Sequence, residues 1–350
     1  MLENTITQIK PLDAAAMEKC QLRLDNLTKP LNSLYSFEHI ACQLAGITGS
    51  PRPRNLGKTI IVMAGDNGVA AAMAADGQTA ASRVENFCNG RSPLSTFAGH
   101  VQAGTVIVDI GVAAELTHWP QICHRKIAYG SGDITQGPAM TRQQTVQALE
   151  TGIAIAREEA AKGAKVLGLG EMGLGGMVPG TAVVACYSDK AVTEAGSLVS
   201  ELVQRALAVN QPDATDPLDV VSKTGSLAIA GLTGVILGAA AHRTAVVLDG
   251  LATSAAALIA TRLAPAVKDY LIGSHFAVGS AHKAALELIG IPAYLKLDID
   301  LGEGVGAALG LSLVKASEHV INDMKTFGEA EVAVAQDGPG ALKQNKDVKD

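Results

Sequence analysis

Aromatic side chains are scarce: Phe, Tyr and Trp together make up 3% of the 350 residues. The core must then be filled by Ala, Val, Leu and Gly, with elements packed closely at small-residue contacts. Cysteine is also sparse. Cys20, Cys42, Cys88, Cys123 and Cys186 are an odd number and form no CxxC. A disulfide scaffold and a structural zinc site are therefore poor expectations, and a reducing setting is a good one. No Lys/Arg cluster offsets the formal net charge of -6, which argues against nucleic acid as a partner. No run reaches the roughly 18 uninterrupted apolar residues of a membrane span. The nearest candidate, 220–250, is broken by Lys223, His242, Arg243 and Asp249. The opening MLENTITQIKPLD has no apolar signal core. A P-loop (GxxxxGK followed by Ser or Thr) is absent. No GxGxxG follows an early strand with an acid placed for a ribose, which weakens a nicotinamide dehydrogenase reading. These absences predict a soluble cytoplasmic protein without metal or organic cofactor.

What the chain does have is glycine, 37 residues of it, and long apolar stretches that end in an acid and a glycine. KTIIVMAGD (58–66), TVIVDIGV (105–112), AKVLGLGEMG (from 164) and TAVVLDG (244–250) read as four strands buried on both faces. Helical periodicity fills 142–162, 197–210, 228–241, 251–263 and 281–290. Two further helices are expected before residue 48, with PRPRN (51–55) as a linker. The alternation implies an α/β fold: a mostly parallel, Rossmann-like sheet with helices on both faces. In such sheets ligands bind beyond the carboxyl ends of the strands. MAGDNG, VDIG, GLGEMG and LDG would then rim one crevice. The polar C-terminal LKQNKDVKD reads as a frayed, solvated end.

Two acids stand out. In VLGLGEMGLGGMVPGTA a buried run stops at Gly170, presents Glu171, and continues through Gly173, Gly175 and Gly176. In LDIDLGEGVGAALG, Glu303 lies between Gly302 and Gly304 ahead of an apolar helix. Glycines allow close approach of a backbone or ligand. A carboxylate in such a crevice has a raised pKa and suits a general base. The alternative for Glu303 is to stabilise the helix N-terminus. Asp66 and Asp109 either orient ligand hydroxyls or cap the helices that follow. Ser82, Arg83 and Asn86 fall on a helix-like turn after the first strand. Ser274 and His275, with His282 seven residues on, either line a pocket or cap a helix. The polar loop 131–140 either closes over a site or connects.

The chain resembles the nicotinate-nucleotide–dimethylbenzimidazole phosphoribosyltransferase family. The resemblance rests on blocks in family order: LDNLTKPLNSL (24–34), VMAGDNGV (62–69), NFCNG (86–90), GLGEMGLG (168–175), VVLDGLATSAAALIATRLAP (246–265), DYLIGSH (269–275), GEGVGAAL (302–309) and MKTFGEA (324–330). It implies a large α/β domain over 56–314 and a small helical domain from 1–50 with 315–350. It further implies a dimer, and transfer of phosphoribose from nicotinate mononucleotide to an aromatic base with loss of nicotinate. Glu303 would be the base acting on the acceptor. Glu171 would lie near the ribose and phosphate. Asp66, Ser82, Arg83, Asn86, Gly173, Gly175, Gly176, Asp249, Ser274, His275, Gly302 and Gly304 would contact substrate.

The chain also departs from the family pattern. GEMGIGNTT becomes GEMGLGGMV (170–178), which lacks the Asn and Thr donors. A loop like GxGxDDEGLxxK becomes AVTEAGSLVSELVQRALAV (191–209), without the acidic pair or the lysine. VTxQMVxNF becomes TAASRVENF (79–87), so that Ser82 and Arg83 replace Gln and Met. SHRSAExGH becomes SHFAVGSAH (274–282), which removes an arginine and an acid. A phosphate dianion without donors or a cation binds poorly. The departures therefore predict a diverged member that works beside a homologous subunit, on an unusual acceptor, a phenol included; the alternatives are a non-catalytic structural or regulatory subunit of such an enzyme, and a binding protein for a nucleoside or aromatic base.

Overall fold

The computed structural model describes residues 1–73, 79–193, 196–276, 279–299 and 301–349. The sequence readings over 191–209, 274–282 and 297–314 each include a few positions outside that set: 194–195, 277–278 and 300.

Among the described residues, six strands form one sheet: β1 (Gly57–Gly65), β2 (Gly104–Gly111), β3 (Cys123–His124), β4 (Ala164–Met172), β5 (Ala245–Val247) and β6 (Leu271–Ile272). Their order is β3-β2-β1-β4-β5-β6, and every neighbouring pair is parallel. The chain winds outward from β1 to β3, returns to β4 beside β1, and winds the other way to β6. This is the doubly wound Rossmann-type order, and its direction reverses between β1 and β4. From Ile60 to Gly65 every β1 residue is buried, and β4 is buried along most of its length. Burial on both sides of each strand explains why these segments read as unbroken apolar runs rather than alternating ones. The sequence missed β3 and β6, because two residues carry no periodicity.

The helix Leu227–Ala241 packs against β1, β2, β4 and β5 and is apolar on every side. The helix Arg142–Ala161 lies over it. A Cβ on Gly152 would come within 2.0 Å of the Gly231 carbonyl oxygen, so only glycine allows these two backbones to approach so closely. Among the described residues, no helix is long and apolar enough to cross a membrane.

The chain divides into two compact units, Met1–Lys10 with Gly57–Gly310, and Pro11–Leu56 with Leu311–Asp350. The first ten residues were expected with the small helical part but belong to the large unit. Their helix Leu2–Gln8 packs on Arg142–Ala161 and Leu227–Ala241, and the terminal ammonium pairs with Glu150 at 2.7 Å. In the small unit, Cys20, Leu24, Leu27, Ala41, Ala45 and Ile321 form the core. The C-terminal stretch differs from the frayed end expected of it. Gln344 donates to the Lys29 carbonyl at 3.2 Å, and the Val348 carbonyl accepts from Thr326 Oγ1 at 2.7 Å. Its polar residues satisfy backbone groups rather than water alone.

Candidate functional site

The reversal between β1 and β4 leaves a crevice at the carboxyl ends of the strands, within the large unit. A cavity of about 400 Å³ opens there. Glu171 enters it from the end of β4, and Gly173, Gly175 and Gly176 follow in the loop leading to helix Met177–Ala185. Asp249 enters after β5, just before helix Leu251–Leu263, and His275 after β6. Arg83 reaches in from helix Ala80–Cys88. Gly302 lines the cavity just ahead of helix Val305–Asp323. Neither Met177–Ala185 nor Leu251–Leu263 has a side-chain cap, and both begin at the cavity. In the first of these helices the Val178 amide is already bonded to the Gly175 carbonyl at 3.2 Å and Pro179 has no N–H, so the second helix start has more backbone donors to offer.

The two acids singled out in the sequence are neighbours through their backbones. The Glu303 N–H donates to the Glu171 carbonyl at 3.1 Å. A Cβ on Gly170 would lie 2.5 Å from the Gly304 nitrogen, so the glycine before Glu171 is what lets the second acidic loop lie across β4. Glu303 and Gly304 both have left-handed backbones, with φ of 68° and 91°. A non-glycine residue held there carries local strain, a feature concentrated at functional sites.

Each ionisable group has a distinct environment. Burial is the main influence on Glu171 and pushes its carboxyl up to about 8; Arg83 opposes, and Glu303, Asp66 and Asp249 reinforce. At neutral pH it is therefore largely protonated. Its Oε1 is sealed from solvent and has no hydrogen-bond partner among the described residues. Burial also raises Glu303, against the pull of the Arg83 guanidinium, whose Nη1 lies 3.2 Å from its Oε1. Asp249 is raised to about 6 by burial, opposed by backbone amides including those of Gly304 at 2.9 Å and Ala307 at 3.3 Å. Asp249, rather than Glu303, thus holds the start of helix Val305–Asp323. Burial lowers His275 to about 4 and lowers His282, so both are neutral at pH 7. Their rings stack with centroids 5.9 Å apart. His282 Nε2 donates to the His275 carbonyl at 3.1 Å, which leaves Nδ1 to accept from the Ser254 hydroxyl at 3.1 Å.

Of the residues expected to contact substrate, Arg83, Glu171, Gly173, Gly175, Gly176, Asp249, His275 and Gly302 line this cavity. The others fall elsewhere in the framework. Glu303 and Gly304 sit directly behind the rim, tied to Arg83 and Asp249. Asp66 accepts from the amides of Ala80 at 3.1 Å and Ala113 at 2.8 Å, so it joins loops rather than lining the cavity. Ser82 closes a capping box with Thr79. Asn86 lies one turn further along the same helix and does not line the cavity. The Ser274 hydroxyl pairs with His275 Nδ1 at 2.9 Å. Asp109 binds the Val112 amide at 3.0 Å and Lys126 at 3.0 Å. Sequence reasoning missed the apolar lining, Leu174, Met177, Leu251 and Leu301 among it. Single Leu and Met residues among glycines carry no signal of their own; only their adjacency to the acids could have pointed to them.

A family model described as Phosphoribosyltransferase matches residues 9–332. A nicotinate-nucleotide–dimethylbenzimidazole phosphoribosyltransferase of Roseiflexus sp. (strain RS-1) is 42% identical over 346 residues, which is 95% of this chain and 98% of the relative. One from Geobacter metallireducens is 39% identical over 350 residues, covering 96% and 99%. The crystal structure of the enzyme of that name from Thermus thermophilus matches with a TM-score of 0.85 at 32% identity, covering 92% of this chain and 99% of that one. The fold order, the paired acids at its reversal point and near full-length similarity agree: the chain belongs to the nicotinate-nucleotide–dimethylbenzimidazole phosphoribosyltransferase family.

Proposed function

We propose that this chain transfers phosphoribose from nicotinate mononucleotide to an aromatic base, as in the activation of a cobamide lower ligand, at the cavity between β1 and β4. The observation that carries the reading is the pairing of Glu171, which lines that cavity, with Glu303 directly behind it, where Glu303 is ion-paired to the cavity-lining Arg83. In the reaction, a ring-nitrogen lone pair of the acceptor bonds to the anomeric carbon. The bond from that carbon to the nicotinate nitrogen breaks, and its electron pair returns to the pyridine ring. The acceptor's N–H proton passes to Glu303, whose carboxylate form the Arg83 guanidinium favours. Glu171, protonated, donates to a ribose oxygen. Negative charge on Glu303 and Asp249 favours the positive charge that develops at the anomeric carbon. The phosphate sits on backbone amides of the glycine-rich loop 173–176 and at the uncapped start of helix Leu251–Leu263.

A homologous subunit completes the site in this reading. Among the described lining residues Arg83 is the cation, and it is already engaged by Glu303. Loop 173–176 offers backbone donors only. Phenols belong among the acceptors to be tried, and a cytoplasmic setting suits five free cysteines. The test is nicotinate release from nicotinate mononucleotide with a panel of benzimidazoles and phenols, using the purified chain alone and mixed with a homologous chain from the same source. Release that needs this chain supports the reading. Release by the homologue alone, unaffected by this chain, would leave it as a non-catalytic subunit.

A further inference from the structure

We infer that Arg83 is a positioning residue that sets the basicity of Glu303 and so selects acceptors by the acidity of the proton they surrender; the inference rests on the phosphoribosyl-transfer reading above. Arg83 is fixed early in its helix. The Thr79–Ser82 capping box closes the turn ahead of it, and Asp66 holds the Ala80 amide. From there Nη1 reaches Glu303 Oε1 at 3.2 Å. Its Nε is buried without a hydrogen-bond partner among the described residues. A guanidinium placed only to bridge would have that edge satisfied, since an unpaired buried donor costs about 1–3 kcal/mol. The arrangement instead delivers positive charge to one carboxylate.

The groups around Glu303 make Arg83 decisive. Glu171, from β4, is largely protonated at neutral pH. His275, after β6, is neutral. Asp249, after β5, is occupied by the amides of Gly304 and Ala307. Asp66, after β1, is occupied by the amides of Ala80 and Ala113. Burial favours the neutral form of Glu303, and Arg83 is the cation that opposes it. Glu303 is therefore ionised at a lower pH, and is a weaker base, than it would be beside an apolar side chain. A weaker base works best on an acceptor with a more acidic N–H or O–H.

The test combines a titration that needs no turnover with kinetics. Glutamate labelled with carbon-13 at its carboxyl is titrated by NMR in the full chain, and the Glu303 resonance is assigned by its loss in Glu303→Gln. In Arg83→Met the midpoint is expected to rise by about one pH unit or more, whereas Arg83→Lys keeps it near wild type. In parallel, kcat/KM is measured against pH and across benzimidazoles of graded N–H acidity. Wild type is expected to favour the more acidic acceptors. Arg83→Met should move the acid limb to higher pH and tilt the ranking towards less acidic ones, with Arg83→Lys restoring both. An unmoved Glu303 midpoint in Arg83→Met overturns the inference, whatever the activity. A moved midpoint with an unchanged ranking overturns acceptor selection. No nicotinate release from any form, with the midpoint still moving, overturns the transfer reading and acceptor selection together, but not the hold of Arg83 on Glu303.

Discussion

Glu171 shows how one residue's surroundings decide its chemistry. Its folded pKa of about 8 lies above the ordinary value of 4.5, and burial is the main cause. A carboxyl raised on folding contributes stability that is fully present below its unfolded pKa and is lost as pH rises through about 8. Glu171→Gln cannot ionise, so its melting temperature relative to wild type should climb between pH 5 and pH 9; a difference that stays flat would show that Glu171 does not titrate in this range. Both acids were legible in the sequence, since each stood alone among glycines after a buried run. The partner of Glu303 was not. Its two readings were base and helix stabiliser, and the helix start is held instead by Asp249, 55 residues away from Gly304 in the chain. Arg83 was legible as a departure from the family pattern, but not as the ion-pair partner of Glu303.

At the scale of elements, the crossing of β4 by the loop ahead of helix Val305–Asp323 carries the site. Gly170 and Gly304 allow it: a Cβ at Gly170 would meet the Gly304 nitrogen at 2.5 Å and the Glu303 carbonyl carbon at 2.6 Å. These neighbours are backbone and cannot swing aside. Gly170→Ala should therefore lower stability by about 1–3 kcal/mol and cut turnover by displacing Glu303, as read by urea unfolding alongside an activity assay. Full activity at wild-type stability would show that the loop has room to move. The three long strands β1, β2 and β4, the short β5 inside its longer apolar run, and the central helices were readable because burial on both faces leaves continuous apolar runs. The two-residue strands β3 and β6 were not, since their place in the sheet comes from tertiary pairing with β2 and β5. Asp66 was open between a ligand group and a cap for the helix that follows, and it takes the second role; Ser82 was expected to contact substrate. Acids and hydroxyls beside a helix start look alike in sequence whether they bind a substrate or an amide, and here they bind amides.

On the scale of the whole molecule, the order of the sheet places the site and the small unit has its own electrostatic clasp. There Arg23 meets Glu329 at 2.7 Å and also donates to the carbonyls of Ile321 and Met324. The hydrogen bond from Arg23 holds Glu329 down at about 2. A depressed carboxyl contributes stability that is present above its unfolded value near 4.5 and is lost as pH falls through about 2. Glu329→Gln should cost about 1.5–3 kcal/mol at pH 7, with the deficit shrinking as wild type is acidified through that window; a deficit independent of pH would assign the loss to packing. For the molecule as a catalyst, the most direct measurement is the rate of nicotinate release from nicotinate mononucleotide and dimethylbenzimidazole by wild type and Glu303→Gln, each alone and mixed with a homologous chain from the same source. The account predicts a loss of roughly 10²-fold or more in turnover with nucleotide binding retained. An unchanged rate would place the chemistry outside this cavity and contradict it.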